Sequence, residues 1–521
     1  MKNAESAPIS NDANARSGAG SGEHEQRLAI GYLARQGSHV IGILVGLAVT
    51  TVLARRLPLG EFGTYALLLS LTSYLIVLQA VVETSAIKTI AEASDQPARD
   101  RAFSTAMLAY SATGIVASGL VSGLGLLLLQ VWSVPPDLQH EARLGVIALA
   151  VTTLISWPTR VFYDTLRGSQ LFTLAAAAEV AALIVSGSLV ITFVLVGAPL
   201  WTVVSAAAAG SLATGASSAL LMFFKRLPYR FRRNGISRTA TRGFFELSGY
   251  FFIAGLADFL IYALDRTILG AFRPAATVGL YEGPIRAHNL VRDVQATLVG
   301  PVLPAAARYR AEDDSERLRE LLLRGTRYAV AVIVPLALVL MVLAKPILEA
   351  WLGKKFDEAA PAMTLLVGYL IIYSNTAVGW NMLVAVGQIR LFALFAVSVA
   401  VLNVALSLAL TPIFGLTGVV LGTTIPYLLG FPVFLRLALP AFGVTIKEFA
   451  REVWLPAYSI ALVIALGLVL LRFTVDLATI PASAGASVIG VMAYWSLYYV
   501  VWLQPNERLL VRSLARGLAR R

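Results

Sequence analysis

The sequence predicts an all-α polytopic membrane protein of about 14 transmembrane helices: two pseudo-symmetric six-helix halves followed by two further C-terminal helices. Three observations predict it. The chain of 521 residues is 57% hydrophobic and 14% charged, with a mean hydropathy of +0.74. A soluble protein is nearer a quarter charged, so most of this chain cannot form a water-facing surface. Fourteen apolar segments recur along it, each near the roughly 20 residues that a helix needs to cross a bilayer. They are continuously apolar and do not alternate with polar residues as barrel strands would. In lipid, that leaves helices, because each backbone polar group must be satisfied within its own segment. The third observation is a repeat.

Residues Thr51 to Tyr65 read TVLARRLPLGEFGTY and Thr267 to Tyr281 read TILGAFRPAATVGLY. Without a gap they match at Thr51/Thr267, Leu53/Leu269, Pro58/Pro274, Gly63/Gly279 and Tyr65/Tyr281. Each copy sits where one apolar segment ends and the next begins. LFTL at Leu171–Leu174 and LFAL at Leu391–Leu394 echo at nearly the same offset. Many transporters are built from repeated helical bundles, and a transporter of two related halves is the first reading.

In order, the segments run over 37–54, 62–82, 103–131, 144–162, 171–196, 200–224, 244–271, 278–302, 321–343, 362–386, 391–412, 416–437, 453–471 and 482–503. The eighth departs most from the pattern because it carries charges. The chain divides into a disordered tail (1–26), an N-terminal six-helix bundle (27–224), a basic linker (225–242), a C-terminal six-helix bundle (243–440), two additional helices (441–504) and a basic amphipathic tail (505–521). The N-terminal tail has no apolar core of a cleavable signal peptide. Most of the 42 Lys and Arg fall in loops that share one side if the N-terminus is cytoplasmic, which predicts both termini inside. The linker has seven basic residues and no acid; it either fixes topology or docks lipid phosphate. The C-terminal tail puts Arg508, Arg512, Arg516 and Arg520 on one stripe and Leu510, Leu514 and Leu518 on another, as a helix at a lipid surface would.

Several classes of function are excluded. There are no cysteines, hence no disulfide, thiolate metal site or cysteine nucleophile. The four histidines show no HxxxH or HExxH spacing, and no GxxxxGK[ST] loop is present. No metal, cofactor or ATP hydrolysis is expected.

Five stretches, in order, resemble the bacterial polysaccharide transporter family. They are RRLPLGEFGTYAL, KTIAEA (Lys88–Ala93), DRTILGAFRPAATVGLY, AKPILEAWLGKKFDEAAPAMTLL (Ala344–Leu366) and GQIRLFAL…LTPIFGLTGVVLGTTI (Gly387–Ile425). These are the O-antigen-type flippases of the multidrug/oligosaccharidyl-lipid/polysaccharide superfamily. The resemblance spans about residues 30–440. It implies two six-helix bundles around a central cavity, alternating access, and a polyprenyl-pyrophosphate-linked oligosaccharide as cargo, moved across the bacterial inner membrane for O-antigen or exopolysaccharide assembly. Expected partners are that lipid-linked sugar, membrane lipid and other polysaccharide assembly proteins, not nucleic acid.

Such a cargo makes three demands: cations for pyrophosphate, hydrogen bonders and aromatic faces for sugar, and an apolar opening for the lipid. The eighth segment supplies Arg286 and Arg292 with Glu282, His288 and Asp293 around Gly283-Pro284. Charges at membrane depth face a cavity or a partner, so both arginines are substrate-binding candidates. The competing reading is self-neutralising pairs, Glu282 with Arg286 and Asp293 with a neighbouring Arg. On the first segment Arg35, His39, Gly42 and Gly46 share a stripe. Arg35 is a boundary cation or a ligand contact; His39 is a structural histidine or a proton-coupling group. The tenth segment offers Tyr369, Tyr373, Thr376 and Trp380 at helical spacing with Asn375 and Asn381 beside them, read either as core or as sugar contacts; Tyr373, Trp380 and Asn381 are the candidates. Asp258 and Glu179 are the ion-coupling candidates, and Asp265 reads as a structural ion pair with Arg266. The alternatives are a flippase for the peptidoglycan lipid precursor, a drug–cation antiporter, which would favour an acidic cavity, and a membrane polymerase or ligase. The external loops are too short for the last.

Overall fold

A computed structural model describes residues 12–232, 264–509 and 513. Twelve helical stretches among them are long and apolar enough to cross a membrane. They correspond to twelve of the fourteen segments. The seventh lies mostly outside the described residues, and only its end appears, as Leu264–Phe272. The eighth is a helix, Ala275–Val299, of 25 residues, whose charges keep its hydropathy below that of the others.

In chain order the helices are α1 (Asp12–Arg56), α2 (Leu59–Ser73), α3 (Leu75–Ala91), α4 (Gln96–Val131), α5 (Gln139–Gly168), α6 (Phe172–Leu195), α7 (Leu200–Phe224), α8 (Leu264–Phe272) and α9 (Ala275–Val299). They continue as α10 (Val302–Ala311), α11 (Ser315–Val342), α12 (Ala344–Leu352), α13 (Ala360–Tyr373), α14 (Ala377–Ala385), α15 (Ile389–Phe414), α16 (Leu416–Ala441), α17 (Ile446–Phe449), α18 (Leu455–Thr474) and α19 (Ile480–Val501). A π-helical turn, Ala450–Trp454, joins α17 to α18. Among the described residues the only bridge between extended backbones is Ser133 with Pro274. α1 begins at Asp12, inside the tail read as disordered from sequence.

The tenth segment is not one helix. It breaks between α13 and α14 at Ser374–Thr376, with neither Gly nor Pro at the break. Asn375, 1% exposed, holds the broken end of α13. Its Nδ2 donates to the Ile371 and Ile372 carbonyls (3.1 and 3.0 Å), and its Oδ1 accepts from Trp454 Nε1 at 3.1 Å. The Tyr458 hydroxyl donates to the Ile371 carbonyl at 2.9 Å. Backbone freed from a helix at membrane depth must find such partners, and here the Asn375 amide and Tyr458 at the start of α18 provide them, while Trp454 of the π turn holds Asn375 in place.

Two compact units form. One comprises Met1–Val49, Val77–Gly123 and Gly145–Phe252, the other Thr50–Ile76, Leu124–Leu144 and Ile253–Arg521. In the first unit small residues admit bulky ones from neighbouring helices: Gly114 faces Trp157, Gly42 faces Leu183 and Gly187 faces Val45. The Trp157 Nε1 donates to Thr113 Oγ1 at 3.0 Å. At Gly42 the stripe read on the first segment therefore packs against α6, as small residues between membrane helices do. In the second unit Val330, Val334 and Leu338 of α11 belong to one buried cluster with Phe434 and Ala438 of α16, Ile460 and Ile464 of α18 and Tyr494 and Tyr498 of α19. The two additional C-terminal helices thus complete a core. Elsewhere large apolar side chains point outward, Phe473 (81% exposed) and Leu470 among them. Such continuous apolar exposure suits lipid and not water.

The repeat has a geometric meaning, and all of it lies in the second unit. Pro58 and Pro274 precede α2 and α9 with nearly the same backbone, φ −55°, ψ 149° and φ −53°, ψ 147°. α2 and α9 cross at the matched glycines. A Cβ on Gly63 would overlap the Ala275 carbonyl oxygen, and one on Gly279 would lie 2.7 Å from the Leu59 oxygen. Leu59 and Ala275 are themselves matched positions, so each copy makes on the other the contact the other makes on it. Two tryptophans reciprocate further. Trp132 packs on Gly270 in the second copy, where Ser133 N donates to the Gly270 carbonyl at 2.9 Å. Trp351 Nε1 donates to Thr51 in the first copy at 2.6 Å, and Arg55 Nε donates to the Trp351 carbonyl at 3.1 Å.

Candidate functional site

Two rungs tie α8 to α9. Arg266 donates to Glu282 from Nε (2.5 Å) and a terminal nitrogen (3.3 Å), and the Tyr281 hydroxyl donates to Asp265 Oδ2 at 2.7 Å. Asp265 is 1% exposed and also accepts from Thr423 of α16 at 3.2 Å. Thr423 accepts in turn from Asn403 of α15 at 2.9 Å. This corrects two readings. Asp265 is not the partner of Arg266, because adjacent residues on a helix point about 100° apart; its partners are hydroxyls. Glu282 is neutralised chiefly by Arg266, not by Arg286.

Arg286 is left at the edge of that pair. Its Nε stands 4.0 Å from Glu282 and its side chain is 43% exposed, against 17% for Arg266. Arg292 lies further along α9 and is half-buried. Between them His288, fully buried, meets the Tyr369 hydroxyl of α13 through Nε2 at 2.7 Å and Asn289 Oδ1 through Nδ1 at 3.2 Å. Tyr369 stacks on Tyr427 of α16 (5.0 Å, 8°), and Tyr373 meets Tyr427 edge-on (4.8 Å, 65°). Through His288 the charged eighth segment is thereby joined to the tenth. Arg286 and Arg292 on one helix and Tyr373 on its neighbour belong to one unit, with Tyr373 and Tyr427 half-exposed.

The other candidates go elsewhere. Trp380 is 4% exposed and packed among Phe392, Phe395 and Phe434; the core reading of its aromatic stripe holds at that end. Asn381 turns back on its own helix, its Nδ2 donating to the Ala377 carbonyl at 2.9 Å. Arg35 and His39 are exposed side chains of α1 in the first unit. Between them Ser38, buried, donates to Glu179 Oε2 at 3.0 Å, which anchors that acid to α1. Asp258 falls outside the described residues.

Sequence reasoning missed a polar network in the first unit. Glu83 of α3 pairs directly with Arg167 and lies 3.5 Å from Arg160, both on α5. Arg167 is 3.6 Å from Asp164, which accepts from the Tyr110 hydroxyl of α4. The spacing Arg160, Asp164, Arg167 puts all three on one helical face, a signal present in the sequence. Tyr427 was also missed; a lone tyrosine in an apolar segment has no partner on its own helix to mark it.

A bundle of membrane-crossing helices with a broken helix, buried ion pairs and a small set of half-exposed cations and aromatics defines a polytopic membrane protein of transporter type. The chain belongs to the family described as polysaccharide biosynthesis protein, whose model matches residues 52–361. It is 22% identical over 421 residues to the uncharacterized membrane protein EpsK of Bacillus subtilis, covering 78% of this chain and 82% of EpsK. It is 24% identical over 398 residues to the probable flippase AglR of Haloferax volcanii, covering 76% and 80%. Among solved structures it is similar to the lipid II flippase MurJ in an inward closed conformation, with TM-score 0.71, 14% identity, and 90% of this chain and 99% of that one covered. It is similar also to an inward-facing MATE family transporter of the MOP superfamily, with TM-score 0.66, 15% identity, and 77% and 95% covered. The fold is the one shared by that superfamily.

Proposed function

We propose that this protein is a flippase for a polyprenyl-pyrophosphate-linked oligosaccharide, acting by alternating access in the bacterial inner membrane during surface polysaccharide assembly. The observation that carries the reading is the division of labour on α9. Arg266 already neutralises Glu282, so Arg286 keeps a substantially exposed guanidinium that the fold does not consume. A planar cation in a low-dielectric setting binds phosphate oxygens through paired hydrogen bonds. The half-exposed Tyr373 and Tyr427 on the helices beside α9 offer the flat faces that sugar rings stack on. Family membership and the similarity to the probable flippase AglR support the class of cargo.

The likeness to MurJ favours one specific second reading, a lipid-linked peptidoglycan precursor as cargo. It places the same demand on Arg286, since the pyrophosphate is common to both. Depletion of the protein separates them: on the leading reading, polysaccharide-type lipid-linked oligosaccharides accumulate at the cytoplasmic leaflet while cell-wall synthesis continues. Accumulation of the peptidoglycan precursor instead selects the second reading. Orientation is tested separately. Reporter fusions after Gly235 and at the C-terminus should report cytoplasm, and one near Lys354 the external side; an external C-terminus contradicts the scheme.

A further inference from the structure

The segment that leaves α7 is strapped back over the first unit. Gln96 Nε2 donates to the Pro228 carbonyl at 2.7 Å, Arg230 N to Asp100 Oδ1 at 3.0 Å and Arg232 N to Ser104 Oγ at 2.8 Å. All three anchors stand at the start of α4. The Tyr229 hydroxyl meets Ser169 Oγ at 2.8 Å, and its ring lies 6.2 Å from that of Phe103. Beneath the strap is a cavity of about 840 Å³. Its lining runs from buried or half-buried apolar side chains, Phe103, Met107, Phe162 and Met222, to the exposed Arg226, Arg230 and Arg232 at its rim.

The rim holds more positive charge than the anchoring needs. Arg232 pairs with Asp100 at 2.9 Å. Among the described residues neither Arg226 nor Arg230 has a carboxylate partner, and both are exposed. Arg226 also stands at the C-terminal cap of α7 with φ +50°, a left-handed position that glycine usually fills. Phe223 and Phe224, 76% and 69% exposed, continue the apolar surface outward from the last turn of the membrane helix.

We propose that this cavity binds an anionic phospholipid of the surrounding bilayer, its headgroup phosphate between Arg226 and Arg230 and its acyl chain against Phe103, Met107 and Met222. The order of the lining, cations at the rim and apolar side chains below, matches a lipid and not a soluble anion. A free phosphate would use the arginines and leave the wall dry. The lipid is a resident of the bilayer and not the cargo, so this site stands or falls independently of the transport reading.

The test uses the full-length protein in detergent with phosphatidylglycerol or phosphatidylcholine added, and bound lipid is counted by native mass spectrometry. Wild type should retain phosphatidylglycerol in preference to phosphatidylcholine. The double change Arg226→Gln with Arg230→Gln should weaken that retention by about fivefold per arginine, the factor expected for a basic residue at an anionic lipid surface. Arg308→Gln with Arg310→Gln, which removes the same charge elsewhere, should leave it unchanged. Equal loss in both doubles, no loss in the first, or displacement of the lipid by excess inorganic phosphate overturns the proposal. A measurement on the wild type alone covers a variant that fails to fold. Trypsin cleavage after Arg226 and Arg230 should slow in phosphatidylglycerol vesicles relative to phosphatidylcholine vesicles, and equal cleavage rejects the site.

Discussion

The two copies of the repeat share a backbone and differ in charge. Both begin a helix after proline and press a glycine onto the other copy. At the positions matching Arg266, Glu282, Arg286 and Arg292, however, the first copy carries Thr50, Ala66, Ser70 and Ile76. A copy without charge at these four positions therefore satisfies the same packing, and the architecture does not require the charges of α9 there. Within α9 the charges divide again: Arg266 and Glu282 close on each other in the interior, whereas Arg286 keeps an exposed face. A neutralised buried pair belongs to the structure, and a cation outside it is available to a ligand.

The largest effect should come from opening the closed pair. Arg266→Thr gives α8 the residue of the first copy but leaves Glu282 buried without its partner, which costs about 3–5 kcal/mol. Adding Glu282→Ala, so that both positions match the first copy, should recover part of that loss, because it removes the uncompensated buried charge and leaves only the cost of the space vacated. Thermal unfolding of the purified protein reads both, and a double variant as damaged as the single one would show that the charges are architectural after all. Next comes the glycine crossing. Gly63→Ala sets a methyl group against the Ala275 carbonyl and should cost about 1–3 kcal/mol by overpacking. Gly279→Ala, whose Cβ would meet Leu59 less closely, should cost less. Equal effects would argue that the two contacts relax alike.

A smaller, pH-dependent effect is expected beyond the last membrane helix. Burial alone would raise the Glu507 carboxyl. The Tyr328 hydroxyl and Gln504 amide that donate to it, with the Arg327 and Arg324 charges, outweigh burial and hold it below its ordinary 4.5. A carboxylate held low stabilises the fold above its unfolded pKa, and that contribution is lost as pH falls through the folded value. The melting-temperature gap between wild type and Glu507→Gln should therefore be full at neutral pH and close progressively as pH falls below 4.5. A gap independent of pH would assign the effect to packing.

Much of this organisation is legible in the chain because a bilayer imposes a length and a backbone rule that few segments meet by accident. The matched Pro58/Pro274 and Gly63/Gly279 could be read as a repeat, since helix caps and crossings leave those residues little freedom. The break in the tenth segment could not. It is made by Ser374, Asn375 and Thr376, none of them a helix breaker in its own right, and stabilised by Trp454 and Tyr458 from a segment some eighty residues on. The pairing of Asp265 was misread for a similar reason: the nearest cation in sequence was preferred to hydroxyls sixteen residues away and beyond. Spacing put forward Arg286, Arg292 and Tyr373 as candidates. It could not distinguish Trp380, which the rings of α15 and α16 bury, from Tyr373, which remains half-exposed.

On the proposed function Arg286 serves a phosphate ligand while Arg266 serves the fold. The direct measurement is translocation of a fluorescent polyprenyl-pyrophosphate-linked oligosaccharide in vesicles containing wild type, Arg286→Ala, Arg286→Lys or Arg286→Ala with Glu282→Ala, with melting temperature recorded for each. The account predicts that Arg286→Ala folds as wild type, within about 1 kcal/mol as for an exposed pair, and loses transport. Lysine should restore part of it as a point charge without the bidentate fork. Wild-type transport by Arg286→Ala, or transport recovered when Glu282→Ala is added, would contradict it.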